Sequence, residues 1–256
     1  MSQRVIPMQG AVNFRDIGGY PAGPVQNLRW QRIYRSDSLA ELTAEDQARL
    51  LELDLYGIVD YRLQAEAAAK PDRLPQGHGI RLLAPGFIPQ GTEDMLRRVA
   101  KGQIDAAGIH AEVTSHYRRF ALEHLGDYAS TLRLILEADG RPVLLHCTSG
   151  KDRTGFGIAL LLVLAGCDDE TIVEDYLLTN QYRRDISFMF RTPIDPEAVD
   201  ILTSAHAAYI RTALETLHRE QGPPETWLAS LGFDAAERTR LREIVTEPAK
   251  TGQPAR

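Results

Sequence analysis

The chain has 256 residues, a formal net charge of −6, 43% hydrophobic residues and two cysteines. That size and balance bury a full core, and they exclude a disordered chain and a disulfide-stapled scaffold. The longest apolar run, Ile158 to Cys167, falls well short of the roughly 20 residues of a membrane-spanning helix.

The opening MSQRVIPMQG lacks the apolar core of a signal peptide. A cytoplasmic protein without an integral membrane segment is expected, with export by a signal-less route still open. The acidic balance argues against nucleic acid as a partner. Of the 29 basic residues 25 are arginine, a bias read as codon composition rather than as a binding surface. Oligomeric state is not legible.

In chain order, residues 12–16 form a short extended segment that runs into Ile17-Gly-Gly19, and residues 28–34 form a second. Thr43 caps a helix whose first turn carries Glu45 and Asp46. Gly57 breaks it, and residues 58–60 and 79–83 are strands. Helices are predicted over residues 93–107, 112–125 and 128–138. Residues 142–146, PVLLH, are the clearest buried strand. A glycine-containing loop follows, then helices over 154–166 and, capped by Asp168, 169–184. Residues 186–196 read as irregular, and a helix starting at Asp195-Pro-Glu197 runs towards Leu217. Two short helices, around Trp227 and over 235–245, precede a tail over 247–256 expected to fray. The pattern gives one α/β domain over 1–256 with the most apolar strand central.

The chemistry is concentrated in HCTSGKDRTG, residues 146–155. A strand delivers Cys147 to a turn, and Arg153 stands six positions later at the mouth of a helix. Backbone N–H groups of Thr148, Ser149, Gly150, Lys151, Asp152 and Arg153 can curl into an anion nest, with the helix N-terminus behind it. Arg153 adds a planar fork for two phosphoryl oxygens. A cysteine in that ring is expected as a thiolate nucleophile, attacking phosphorus to form a phosphocysteine that water then hydrolyses. Loop amides and Arg153 serve the equatorial oxygens, so no metal or other cofactor is called for. Thr154 can donate its hydroxyl to the sulfur, and His146 supports the loop by hydrogen bonding.

The string His146-Cys147-(five residues)-Arg153-Thr154 resembles the signature of the cysteine-based protein tyrosine and dual-specificity phosphatases. The fuller string resembles the bacterial branch related to the mycobacterial secreted tyrosine phosphatase B. So do Asn13-Phe-Arg-Asp-Ile-Gly-Gly19 and Tyr34-Arg-Ser-Asp-Ser-Leu39. The resemblance implies a phosphatase-type central sheet flanked by helices and a helical lid, for which residues 183–217, with Phe188, Met189 and Phe190, are the preferred candidate. It also implies activity on phosphotyrosine, with phosphoserine, phosphothreonine and phosphoinositides as further substrates, the last favoured by Lys151 as a cation on the loop rim.

Two general acids stand side by side. Asp60 lies where that branch carries an aspartate-leucine-arginine motif, with Tyr61 here in place of leucine. Asp152 lies in the loop, as in proposals for myotubularin-type enzymes. Either must be protonated to donate. Arg15, Asp16, Arg35 and Asp37 are expected as an ion-pair network under the loop, and Cys167 as an inert core thiol. The spacing of His110, His116 and His124 does not make a metal trio. Leu145 and Asp152 rule out a nucleotide-binding reading of Ser149-Gly-Lys151. The rivals are a rhodanese-like sulfurtransferase and a catalytically weak phosphate-binding module.

Overall fold

In the computed structural model, residues 4–183 and 194–249 are described. The organising element is β6 (Val143–His146), every residue of which is fully buried. Such a strand needs partners on both edges and cover on both faces. It pairs in parallel with β3 (Ile33–Ser36) on one side and β4 (Gly57–Asp60) on the other. Beyond β4 lies β5 (Arg81–Leu83), also parallel; beyond β3 lies β1 (Arg15–Asp16), antiparallel. The sheet order is β1-β3-β6-β4-β5.

Alternation along β6 divides the interior. Val143 and Leu145 join Ile33 and Val59 in the larger cluster. Helices α4 (Ala106–Glu123), α5 (Ala129–Ala138) and α6 (Asp152–Ala165) contribute to it, as do α7 (Asp169–Leu177), α9 (Ala207–Thr216) and α11 (Ala235–Val245). Leu144 faces the other way, with Phe14, Tyr34, Ile58 and Leu50 of α1 (Ala44–Glu52). α6 is buried from Thr154 to Ala165, which explains an apolar run with no polar stripe. A side chain at Gly157 would meet the Tyr61 hydroxyl and the Tyr128 ring at 3.0 Å, so glycine sets how closely α6 approaches them. The central α/β sheet flanked by helices agrees with the expected class.

The register carries the functional consequence. Ser36 and Asp60 both lie opposite His146. Three parallel strands therefore end level, and the chain leaves β6 into Cys147 between the ends of its neighbours. The carboxyl ends of parallel strands are where open α/β sheets build binding sites.

Several boundaries differ from the sequence reading. The helix expected over 93–107 is split into α3 (Thr92–Ala100) and the start of α4, because Gly102 turns the chain at a φ of 62° and Asp105 caps a new helix. The helix expected from 195 to 217 is broken at Ser204 into α8 (Pro196–Thr203) and α9, an extended residue ending the first. A further helix, α2 (Gln64–Ala69), was not expected. The expected fraying does not begin at 247: β7 (Thr246–Pro248) pairs with β2 (Gln26–Leu28), and their ladder ties Glu247 and Pro248 down. α10 (Pro224–Ser230) carries the buried Trp227. Phe188, Met189 and Phe190 of the expected lid lie outside the described residues. Among the described residues, no helix is long and apolar enough to cross a membrane.

Candidate active site

The loop between β6 and α6 is held from below through its carbonyls. Asn13 Nδ2 donates to Ser149 O at 3.2 Å and to Gly150 O at 3.4 Å, and Arg35 Nη2 donates to Gly150 O at 2.6 Å. Each trans peptide places its N–H opposite its C=O, so pulling these carbonyls down turns the N–H groups of Gly150 and Lys151 to the opposite side of the loop. The amide nest is thus oriented by what lies beneath it. Gly150 has a φ of +67°, and a side chain there would meet Ser36 O at 2.4 Å and Asn13 Nδ2 at 2.8 Å. Only glycine fits.

The support is itself charged. Arg35 Nη1 meets Asp175 Oδ2 at 2.5 Å and Arg15 Nε meets Asp175 Oδ1 at 3.3 Å, all three side chains being buried. Arg15 also donates to Asn13 Oδ1 and, at 2.9 Å, to the Asp175 carbonyl. Burial would raise the Asp175 carboxyl, but the two arginines hold it at about 2. Burial and the neighbouring Arg35 lower the Arg15 guanidinium to about 10, against the pull of Asp175. Two guanidiniums thus share the Asp175 carboxylate under the loop. The expected network exists for Arg15 and Arg35. Asp16 belongs elsewhere, accepting from Gly18 N and Gln31 N, while Asp37 accepts from Asn13 N at 3.1 Å.

Cys147 is 2% exposed, and Arg153 is nearly buried beside it. The guanidinium is clamped by Glu66 of α2, with Nη1 to Oε2 at 2.7 Å and Nη2 to Oε1 at 2.9 Å, and Nη1 also donates to Tyr61 O at 3.0 Å. Glu66 further accepts from Thr148 Oγ1 at 2.7 Å and from Leu63 N at 2.8 Å. Burial favours the neutral carboxyl, but the Arg153 bonds and charge, with Thr148, bring Glu66 down to about 2. Arg153 is correspondingly raised: burial opposes its charge, while the Glu66 bond and the nearness of Cys147 favour it. Glu66 is absent from the sequence reading. Its only local signal is an acidic residue three positions into a short alanine-rich helix, which reads as a cap.

The two candidate acids sit differently. Asp60 accepts three N–H bonds from Arg62, from the backbone at 2.9 Å and from Nε and Nη2 at 2.9 and 2.7 Å. Arg62 also meets Asp72 at 2.8 Å, and His146 Nε2 lies 3.3 Å from Asp72 Oδ2. Asp60, Asp72 and His146 are close enough together to suggest a cation site, but the guanidinium of Arg62 already supplies the counter-charge there. Asp152, the first residue of α6, has a side chain 36% exposed and accepts from Tyr117 Oη at 2.7 Å.

Lys151 is not a rim cation. It is 2% exposed, and its ammonium donates to Leu202 O at 2.6 Å and Ser204 O at 3.3 Å. The last carbonyls of α8 lack helical donors, and this cation supplies one while suiting the negative helix end. The α8–α9 connection is thereby fastened to the loop. Thr154 Oγ1 is buried with no hydrogen-bond partner, one residue beyond Arg153. Cys167 is a buried free thiol that burial, then Asp168 and Asp175, push up to about 12.

A cysteine at the strand end, an amide loop turned by its supports and a clamped arginine together define the cysteine-based phosphatases. The chain belongs to the tyrosine phosphatase family, whose model matches residues 6–247. It is 31% identical to the triple specificity protein phosphatase PtpB of Mycobacterium tuberculosis, over 96% of this chain and 99% of that one. It is 27% identical to a tyrosine-protein phosphatase of Nostoc commune, over 81% and 72%. Among solved structures, TpbA of P. aeruginosa matches at 19% identity and a TM-score of 0.37, covering 78% of this chain and 95% of that one. The catalytic core of the PP-IP phosphatase SIW14 from S. cerevisiae matches at 20% and 0.38, covering 82% and 94%.

Proposed function

We propose that this protein-tyrosine phosphatase hydrolyses its substrates through a phosphocysteine on Cys147, with Arg153 and the loop amides as the phosphate cradle and Asp152 as general acid. The observation that carries the reading is the clamp on Arg153: Glu66 fixes the guanidinium plane with two bonds, at 2.7 and 2.9 Å, before any substrate arrives. Pre-set donors of this kind cost no reorganisation at the moment of reaction.

Cys147 Sγ attacks phosphorus as the P–O bond to the leaving group breaks, and Asp152 gives its proton to the departing oxygen. The Asp152 carboxylate then takes a proton from water as that water attacks phosphorus, the S–P bond breaks, and Thr154 Oγ1 donates to the departing sulfur. Asp152 is favoured over Asp60 because it stands in the loop with a partly open side chain, whereas Asp60 is committed to Arg62. Backbone N–H groups from Thr148 to Arg153 receive the phosphoryl oxygens, His146 steadies the strand end against Asp72, and no step requires a metal or cofactor.

Phosphotyrosine in proteins is the first substrate. Phosphoserine, phosphothreonine and phosphoinositides follow as further substrates, supported by the 31% identity to a triple specificity phosphatase. A phosphoinositide would have to draw the Lys151 ammonium away from the α8 carbonyls to use it. The α8–α9 segment, fastened at Lys151, is the described part of the proposed lid, and residues 1–256 act as one catalytic domain. The test is hydrolysis of para-nitrophenyl phosphate and a phosphotyrosine peptide in excess chelator. Turnover persists, a phosphate adduct on Cys147 is trapped by rapid acid quench, and Cys147→Ser abolishes both. Turnover by Cys147→Ser, or activity removed by the chelator, overturns the reading.

A further inference from the structure

Asp152 is not held by the loop alone. Tyr117 of α4 and Tyr176 of α7 are each 1% exposed, and their hydroxyl oxygens are 2.6 Å apart. Tyr117 Oη lies 2.7 Å from Asp152 Oδ1. A phenol carries one proton. If Tyr117 gives its proton to the carboxylate, the proton between the two rings belongs to Tyr176. The chain of donors therefore runs one way, from Tyr176 to Tyr117 to Asp152, each bond polarising the next.

The phenols are fixed. Tyr117 packs against Phe120 and Tyr209 with ring centroids 5.4 and 5.5 Å away, and a side chain added at Gly155 would lie 3.0 Å from the Tyr176 ring. Burial, then the nearby Asp152 carboxylate, pushes both phenols well above their ordinary value, so both remain protonated donors. A bond to Oδ1 alone fixes the rotation of the Asp152 carboxyl and leaves Oδ2 as the oxygen able to carry the transferable proton. Charged and titratable groups facing that carboxylate are the Lys151 ammonium, 3.5 Å from Oδ1, the Arg153 guanidinium next to it in the loop, and the His116 imidazole of α4.

We propose that Tyr117, backed by Tyr176, is a positioning residue for the general acid, aiming Asp152 Oδ2 at the leaving-group oxygen. Tyr117 keeps its proton throughout; the proton that moves is Asp152's. This rests on the assignment of Asp152 as the acid, and the test separates the two claims. Steady-state kcat and KM are measured on para-nitrophenyl phosphate and on phenyl phosphate for wild type, Asp152→Asn, Tyr117→Phe, Tyr176→Phe and Asp152→Asn/Tyr117→Phe. An acid matters most for the poorer leaving group.

Tyr117→Phe is expected to lower kcat on phenyl phosphate roughly five- to tenfold, more than on the nitrophenyl ester. KM stays within about twofold, and nothing further is lost in the Asp152→Asn background. Tyr176→Phe gives a smaller loss of the same pattern, and it carries the test alone should Tyr117→Phe fail to fold. If Asp152→Asn affects both esters equally, the acid assignment fails and takes the proposal with it. If Asp152→Asn discriminates but Tyr117→Phe lowers both rates alike, or its effect multiplies with that of Asp152→Asn, Tyr117 is only a packing residue and the proposal alone is overturned.

Discussion

Replacing Glu66 with glutamine keeps the side chain's shape and removes its charge. In the folded protein Glu66 sits at about 2, against 4.5 for a free glutamate, a difference that corresponds to roughly 3 kcal/mol of stability at neutral pH. The depressed value gives the sign. That stability is fully present well above pH 4.5 and is lost as the pH falls from there through 2, below which both states hold the proton. Glu66→Gln is therefore expected to unfold about 2–3 kcal/mol more easily in urea at pH 7. The gap should narrow progressively below pH 4.5. A glutamine has one acceptor oxygen for the two guanidinium nitrogens and turns an NH2 group towards the other, so Arg153 loses its fixed plane. The kcat/KM for para-nitrophenyl phosphate should fall about 10- to 100-fold. A stability gap that stays constant from pH 7 to pH 3 would refute the ion-pair account, and an unchanged kcat/KM would refute the claim that Arg153 needs its clamp.

Three further outcomes are expected. Gly150→Ala puts a Cβ 2.4 Å from Ser36 O at a φ of +67°, and should cost at least about 2 kcal/mol in urea unfolding and abolish phosphate binding by calorimetry. Lys151→Met leaves the carbonyls of Leu202 and Ser204 without this donor, and amide exchange in α8 and at residues 204–206 should rise about tenfold or more; unchanged exchange would show that the lysine is not what fastens the segment. Cys167, pushed up to about 12, should carry roughly one ten-thousandth thiolate at pH 8. Iodoacetamide should then modify Cys147 and spare Cys167 until the protein unfolds.

The nucleophile, its arginine and the strand that delivers them were readable because they are contiguous. Five residues separate Cys147 from Arg153, and the strand, glycine and helix around them leave little freedom. The same holds for the caps Thr43 and Asp168, whose side chains bond three residues ahead as their types suggest. Glu66 and Asp175 were illegible for the opposite reason. Glu66 lies 87 residues from Arg153 and Asp175 lies 140 from Arg35, so nothing local marks either as a partner. Lys151 was misplaced because a sequence gives a side chain's position along the loop but not its direction. The orphan carbonyls that attract it arise from a helix end at Ser204 that a continuous apolar pattern had hidden. The split at Gly102 was in principle visible, since glycine followed by Gln103 and a capping Asp105 is a helix stop and start.

The contacts of Asn13 and Arg35 with Gly150 span 137 and 115 residues. Closing loops of that length is an entropic debt that no local interaction in the 146–155 segment settles. The catalytic loop can therefore not mature as an autonomous unit. It takes its shape only after the first strands of the chain have docked on a sheet whose central strand comes more than a hundred residues later. Recovery of turnover during refolding thus reports the long-range assembly of the sheet, and a chain with its N-terminal segment undocked would keep Cys147 and Arg153 and still be silent.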